Sequence, residues 1–157
     1  MKTIVIGLGN PILGDDGVGW VVAEEISKLK SCESTEVVID CLSIGGLALM
    51  EHLVGFNRAI IIDALQTSLH PIGTVIQMKL EDLPEQIAAH LTSAHDVNLK
   101  TALQLGREMG AQLPEEIIFI GIAAEYVTNF SNELSPTIQN AIPQAVERIS
   151  NLLCSVG

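Results

Sequence analysis

The chain alternates short, unbroken apolar runs with longer segments in which apolar residues recur at three- and four-residue spacing. The first pattern reads as strands buried on both faces, the second as helices with one apolar face. Thr3 to Leu8 is a β-branched apolar run that ends in Gly-Leu-Gly-Asn-Pro, which predicts a buried strand and then a sharp loop. Asp15 is placed to cap the next element, where Val18, Val21, Val22, Ile26 and Leu29 share a helical face. Glu36 to Cys41 predicts a second strand, and Gly45-Gly46 opens a helix striped by Leu47, Met50, Leu53 and Val54. Arg58 to Asp63 contains Ala-Ile-Ile-Ile, a third buried strand that ends on a carboxylate.

Gly73 to Leu80 alternates polar and apolar positions, as a strand with one more polar face does. Asp96 is expected to start a helix striped by Leu99, Ala102, Leu103 and Met109, and Glu116 to Ile122 predicts the last strand. Ser135-Pro136 has the form of an N-cap followed by proline in the first helical position. The helix it opens runs through Ile138, Ile142, Val146, Ile149 and Leu153, with a kink expected at Pro143. Strand and helix in alternation predict an α/β fold: a single domain over residues 1–157, a three-layer sandwich whose twisted, mostly parallel sheet of about five strands carries helices on both faces. Right-handed crossovers place the loops after the first three strands along one edge, the carboxyl edge, where such sheets bind ligands.

Composition narrows the partners. Lys plus Arg number 8 against 19 Asp plus Glu, a formal net charge of −11. No cluster of basic residues exists to grip a phosphate backbone, so nucleic acid and anionic membrane are excluded as partners, and a cation or a protein carrying one is favoured. The three cysteines, Cys32, Cys41 and Cys154, are odd in number and widely spaced, with no C-x-x-C pair. That arrangement indicates neither a disulfide framework nor a structural zinc site. Met1 to Gly14 is too short to span a bilayer and lacks a signal-peptide pattern, so the expected location is the cytoplasm.

The loop Gly7-Leu8-Gly9 invites a dinucleotide reading, but no third glycine follows at the required offset. Asp15-Asp16 would meet a pyrophosphate with negative charge; a tight turn hugging the sheet is the simpler reading. Asp15 and Asp16 suit a first helical turn, and capping explains one of them more readily than both. Asp63 stands out because it ends a strongly apolar strand, where an unpaired carboxylate costs several kcal/mol to bury. Asp40 ends the second strand, one strand further along the sheet. Of the histidines, His52, His70 and His90 have ordinary settings, while His95 lies in a Ser-Ala-His-Asp loop directly before a helix, where spacing alone fits a cap or surface residue as well as a ligand. Two carboxylates and an imidazole from three loops would suit a divalent metal such as nickel or zinc and leave positions open for a substrate. Spacing alone does not establish that convergence, and neither a H-E-x-x-H helix nor a G-x-S-x-G elbow is present.

The order of several short motifs adds to this reading. Ile6-Gly7-Leu8-Gly9-Asn10-Pro11 with Gly14-Asp15-Asp16-Gly17-Val18-Gly19, Ile62-Asp63-Ala64, Pro71-Ile72-Gly73-Thr74-Val75, Ser93-Ala94-His95-Asp96-Val97-Asn98-Leu99, Ile120-Gly121-Ile122 and Glu133-Leu134-Ser135-Pro136 follow one another from end to end. In this the chain resembles the hydrogenase maturation endopeptidases, the hydrogen-uptake protein C-terminal peptidases. The resemblance implies an endopeptidase that removes the C-terminal extension from the precursor of a nickel–iron hydrogenase large subunit once nickel is in place. It also implies that Asp16, Asp63 and His95 are both the catalytic and the metal-gripping residues. Nickel would come with the substrate, so no tightly held cofactor is expected in the resting enzyme; the sequence does not fix the oligomeric state, and a monomer is favoured.

Two departures from the family pattern are visible. The first acid, often Glu, is here Asp16, and Asp40 is followed by Cys41-Leu42-Ser43 where a glycine and threonine are common. Two other classes share some features. One is a non-catalytic nickel-binding accessory protein on the same fold. The other is peptidyl-tRNA hydrolase, which also opens with a strand and Gly-Leu-Gly-Asn-Pro; its later motifs and basic surface are missing here.

Overall fold

Four parallel strands and one antiparallel edge strand form a sheet in the order β2-β1-β3-β5-β4, seen in a computed structural model that describes residues 1–29, 36–88, 97–126 and 129–155. The strands are β1 (Lys2–Leu8), β2 (Glu36–Leu42), β3 (Arg58–Gln66), β4 (Val75–Lys79) and β5 (Glu116–Ala124); the helices are α1 (Val18–Lys28), α2 (Gly46–Leu53), α3 (Glu85–Ala88), α4 (Leu99–Glu108) and α5 (Pro136–Cys154). The α/β sandwich read from the pattern is the fold observed.

Its core follows from strand alternation. Ile4, Ile6, Leu8, Ala59, Ile61, Ile117 and Phe119 face α2 and α4, meeting Leu49, Leu53, Leu99 and Leu103. Val5, Ile60, Ile62, Ile118, Ile120 and Ile122 face the other way, against Val22, Ile26, Ile138 and Ile149 of α1 and α5. Because each face is covered, the alternation is apolar against apolar, which is why the sequence shows unbroken runs. β4 borders only β5, and its exposed Gln77 and Lys79 suit an edge strand.

Several boundaries differ from expectation. β3 continues three residues past Asp63 and β5 two past Ile122, because backbone pairing persists through Asp63↔Gly121 to Gln66↔Ala124. β4 is shorter, Leu80 having turned into a 3-10 segment. α4 starts at Leu99, later than Asp96, because Asn98 is its cap, the side-chain Oδ1 accepting from Thr101 N at 2.9 Å. α5 begins behind Ser135 with proline in its first turn, as read, and remains one helical element across Pro143. Cys41 is a free thiol, whereas Cys154 is disulfide-bonded, which the odd, widely spaced cysteines did not indicate.

α1 lies unusually close to the sheet, and glycine is the reason. A Cβ on Gly19 would stand 2.5 Å from the carbonyl oxygen of Ile62 and closer still to that of Leu8, while one on Gly7 would collide with the carbonyl of Gly19. Backbone on both sides leaves no flexible group to give way. Gly19→Ala is therefore expected to destabilise the fold by about 2–3 kcal/mol, a fall in melting temperature of roughly 4–12 °C. A thermal melt followed by circular dichroism checks this; an unchanged midpoint would mean that α1 is not held by that contact.

Candidate active site

The carboxyl ends of β2, β1, β3 and β5 share one edge, and β1 stops where β3 and β5 continue. The β1–β3 ladder closes at Gly7↔Ile62, one residue before Asp63, while β3–β5 pairing runs on to Gln66↔Ala124. Asp63 thus sits at a step in the sheet, between a strand that has ended and a pair that projects beyond it.

The loop after β1 is folded into this step. Gly9 has a φ of 135°, and a Cβ there would collide with the carbonyl oxygen of Asp16, so the chain reverses where only glycine fits. Leu13 N donates to Asn10 O at 3.0 Å and Asp16 N to Leu13 O at 3.2 Å, leading into a 3-10 turn over Gly14–Gly17. The Asp16 carboxylate is fixed by Asn10, whose backbone N–H donates to Oδ2 at 2.8 Å. The glycines of Gly7-Leu8-Gly9 therefore serve close backbone approach, in keeping with the tight turn.

Asp15 does not cap α1 through its side chain; Gly17 occupies that position without a side-chain bond. Instead its Oδ1 accepts from the backbone N–H of Ser135, 120 residues away, at 2.6 Å. Gly14 N donates to Ser131 O at 2.7 Å and Ser131 N to Ile12 O at 2.9 Å, so the β1 loop and the segment before α5 are laced together. Asp15 holds the two segments in place and leaves Asp16 for the step.

Asp63 is 9% exposed. Burial, reinforced by the negative charge of Asp16, holds its carboxyl well above the ordinary carboxylate range, against the opposing pull of the Ala64 backbone N–H. Two acids are thus near enough to repel, one of them in a setting that disfavours its charge. Such a pair either retains a proton or takes up a cation, and a proton held there is available for acid–base work.

The structure brings Asp16 and Asp63 together at the edge the topology predicts. The third expected member, His95, lies outside the described residues, as do His90 and Asp96. Among the described residues no group of three His, Cys, Asp or Glu could hold a metal. Asp40 stands apart, paired with Ile6 on the far side of β1 from β3. Cys41 packs against the core with its Sγ 3.8 Å from Trp20 O, and burial raises its pKa, as expected of an incidental thiol. His52 and His70 are exposed, His52 with its ring Nδ1 3.0 Å from Ala48 O. The lacing of Asp15 to Ser135 went unread in the sequence; both belong to motifs noted there, but nothing local links them.

Fold and site together define a class: an α/β domain that presents an acid pair, one member buried, at the carboxyl edge of a parallel sheet. The chain belongs to the hydrogenase maturation protease family, whose family model matches residues 21–152, a span that includes Asp63 and His95 and begins after Asp16. It is 27% identical over 150 residues to the hydrogenase expression/formation protein HoxM of Cupriavidus necator, covering 96% of this chain and 73% of that protein. It is 24% identical over 157 residues to the hydrogenase 2 maturation protease of Escherichia coli, covering 100% and 93%. Its fold matches the hydrogenase maturating endopeptidase HybD from E. coli with a TM-score of 0.82 at 23% identity, covering 100% of this chain and 94% of that one. Among the described residues no helix is long and apolar enough to cross a membrane.

Proposed function

We propose that this chain is a cytoplasmic endopeptidase, acting as one domain over residues 1–157, that removes the C-terminal extension of a nickel-loaded hydrogenase large subunit. The observation that carries the reading is the charge arrangement at the step: a buried Asp63 whose carboxyl is pushed above the ordinary carboxylate range by burial and by the nearby charge of Asp16. A divalent cation brought by the substrate offsets that repulsion and makes both acids useful as ligands. Asp16, Asp63 and His95 are the residues proposed to grip it, an oxygen and imidazole set that suits nickel. The nickel is thus part of the substrate, and cleavage becomes conditional on correct loading. Water attacks the scissile carbonyl, a carboxylate of the pair takes its proton, and that proton passes to the leaving amine.

Support comes from the family membership, from the acid pair with its buried member Asp63, and from a negative charge that favours a cation-bearing partner. The deciding experiment incubates the chain with a precursor large subunit, with and without nickel, and follows the precursor's mass. Loss of a C-terminal fragment from the loaded form alone is the expected result. Nickel-dependent binding without cleavage would overturn the peptidase reading and leave an accessory protein; equal cleavage of both forms would overturn nickel recognition.

A further inference from the structure

The chain has one Trp, one Tyr and three Phe. Phe119 is buried in the core, and Trp20 and Phe56 are half-buried. The other two are left in solvent, Tyr126 at 73% and Phe130 at 81% exposure, and both follow β5 at the carboxyl edge. Two exposed aliphatic residues share that edge: Ile12 in the loop after β1 and Leu69 in the loop after β3. Scattered apolar exposure is ordinary, but aromatic exposure concentrated at one functional edge is not.

Backbone pairing and loop bonds place these residues at the same sheet edge as the acid step. Leu69 and Tyr126 leave the two strands whose last pair is Gln66↔Ala124, three residues beyond Asp63↔Gly121. Phe130 precedes Ser131, which bonds through its backbone to Ile12 and Gly14, and the same segment is tied to Asp15 beside Asp16. The rim is therefore continuous with the loops that hold the acids, and its four side chains are uncharged, with exposed Glu125 and Glu133 flanking them in a chain of net charge −11.

We infer that Ile12, Leu69, Tyr126 and Phe130 form the docking rim for the protein substrate, gripping an apolar stretch of polypeptide beside the segment to be cut. This rests on the proposed peptidase function and adds the chemistry by which the partner is held. The two carboxylates attract a cation wherever it comes from; a neutral aromatic rim discriminates for a polypeptide that carries apolar side chains next to that cation. Exposed Tyr and Phe supply large contact area with few rotatable bonds, as aromatic anchors of interfaces do.

The test uses the full chain with Tyr126→Ser and Phe130→Ser combined, on nickel-loaded precursor. The expected result is a KM raised about 10- to 30-fold, with kcat at saturation and the melting temperature close to those of the unaltered chain. Binding of the precursor, measured by surface plasmon resonance, should weaken by the same factor. An unaltered KM and affinity in a chain that still cleaves would overturn the rim while leaving the peptidase intact. Binding that depends on the rim, without cleavage by the unaltered chain, would sustain the rim and remove the peptidase. A dimer of the unaltered chain in sedimentation that the double variant dissolves, with KM unchanged, would assign the surface to a second copy and overturn substrate docking.

Discussion

Asp63→Asn is expected to abolish processing of the nickel-loaded precursor, by on the order of 10³-fold or more, and to raise the melting temperature at neutral pH. Both effects have one cause. Asp63 is the buried member of an acid pair, and burial and Asp16 together raise its pKa in the folded chain. In the unfolded chain the carboxyl titrates near the ordinary value of about 3.9. Between those two values the folded state binds more protons than the unfolded state, so stability falls as pH rises through the window. Below the unfolded value both states are protonated and the penalty is absent; above the folded value it is complete. Asparagine has nearly the same shape and no charge, so the variant escapes the cost of ionising a buried carboxyl, about 1–3 kcal/mol. Melting curves of the two proteins should coincide in acid and separate as pH rises, by roughly 2–4 °C per kcal/mol. Stability gained where activity is lost marks a residue kept for function against the interest of the fold. Retained processing in the variant would take Asp63 out of the site, and identical pH profiles would show that its carboxyl is not under strain.

How far the sequence carries toward this site depends on how local each feature is. Ile60, Ile61 and Ile62 make a strand recognisable because the run is apolar on both faces, and Asp63 is conspicuous against it. The same contrast sets the strand end too early. A carboxylate reads as a terminus, yet the ladder uses backbone groups, and pairing with Gly121 and beyond is indifferent to the side chain. Asp15 illustrates the opposite failure: its local setting suggests a helix cap, while its actual partner, Ser135, is distant in sequence. The parallel sense of the first three strands follows from alternation and handedness, but the order β2-β1-β3-β5 and the position of β4 beyond β5 follow from neither. For the site, chemistry alone identifies Asp63 as unusual. Asp16 acquires its role only when the Gly9 turn folds it toward β3, a consequence of close backbone packing that no spacing rule encodes. His95 is reached through the resemblance to the family and not through spacing.

His95→Ala is the second change expected to remove processing, again by on the order of 10³-fold, and it separates the metal's two duties. Asp16 and Asp63 offer oxygen ligands alone, and an all-oxygen site suits magnesium, calcium or manganese better than nickel. An imidazole shifts the set toward nickel, so its loss should weaken recognition of the loaded precursor as well as cleavage. Calorimetric titration of the precursor into the variant is expected to show little difference between nickel-loaded and nickel-free forms, whereas the unaltered chain is expected to prefer the loaded form. A melting temperature close to that of the unaltered chain would place the effect in the site. Asp63→Asn makes a useful partner in the same titration because it removes a charged ligand but leaves the imidazole. If the two variants lose preference for the loaded precursor together, both residues meet the same ion. If His95→Ala keeps full preference but loses cleavage, the imidazole belongs to proton transfer and the nickel grip rests on the two acids alone.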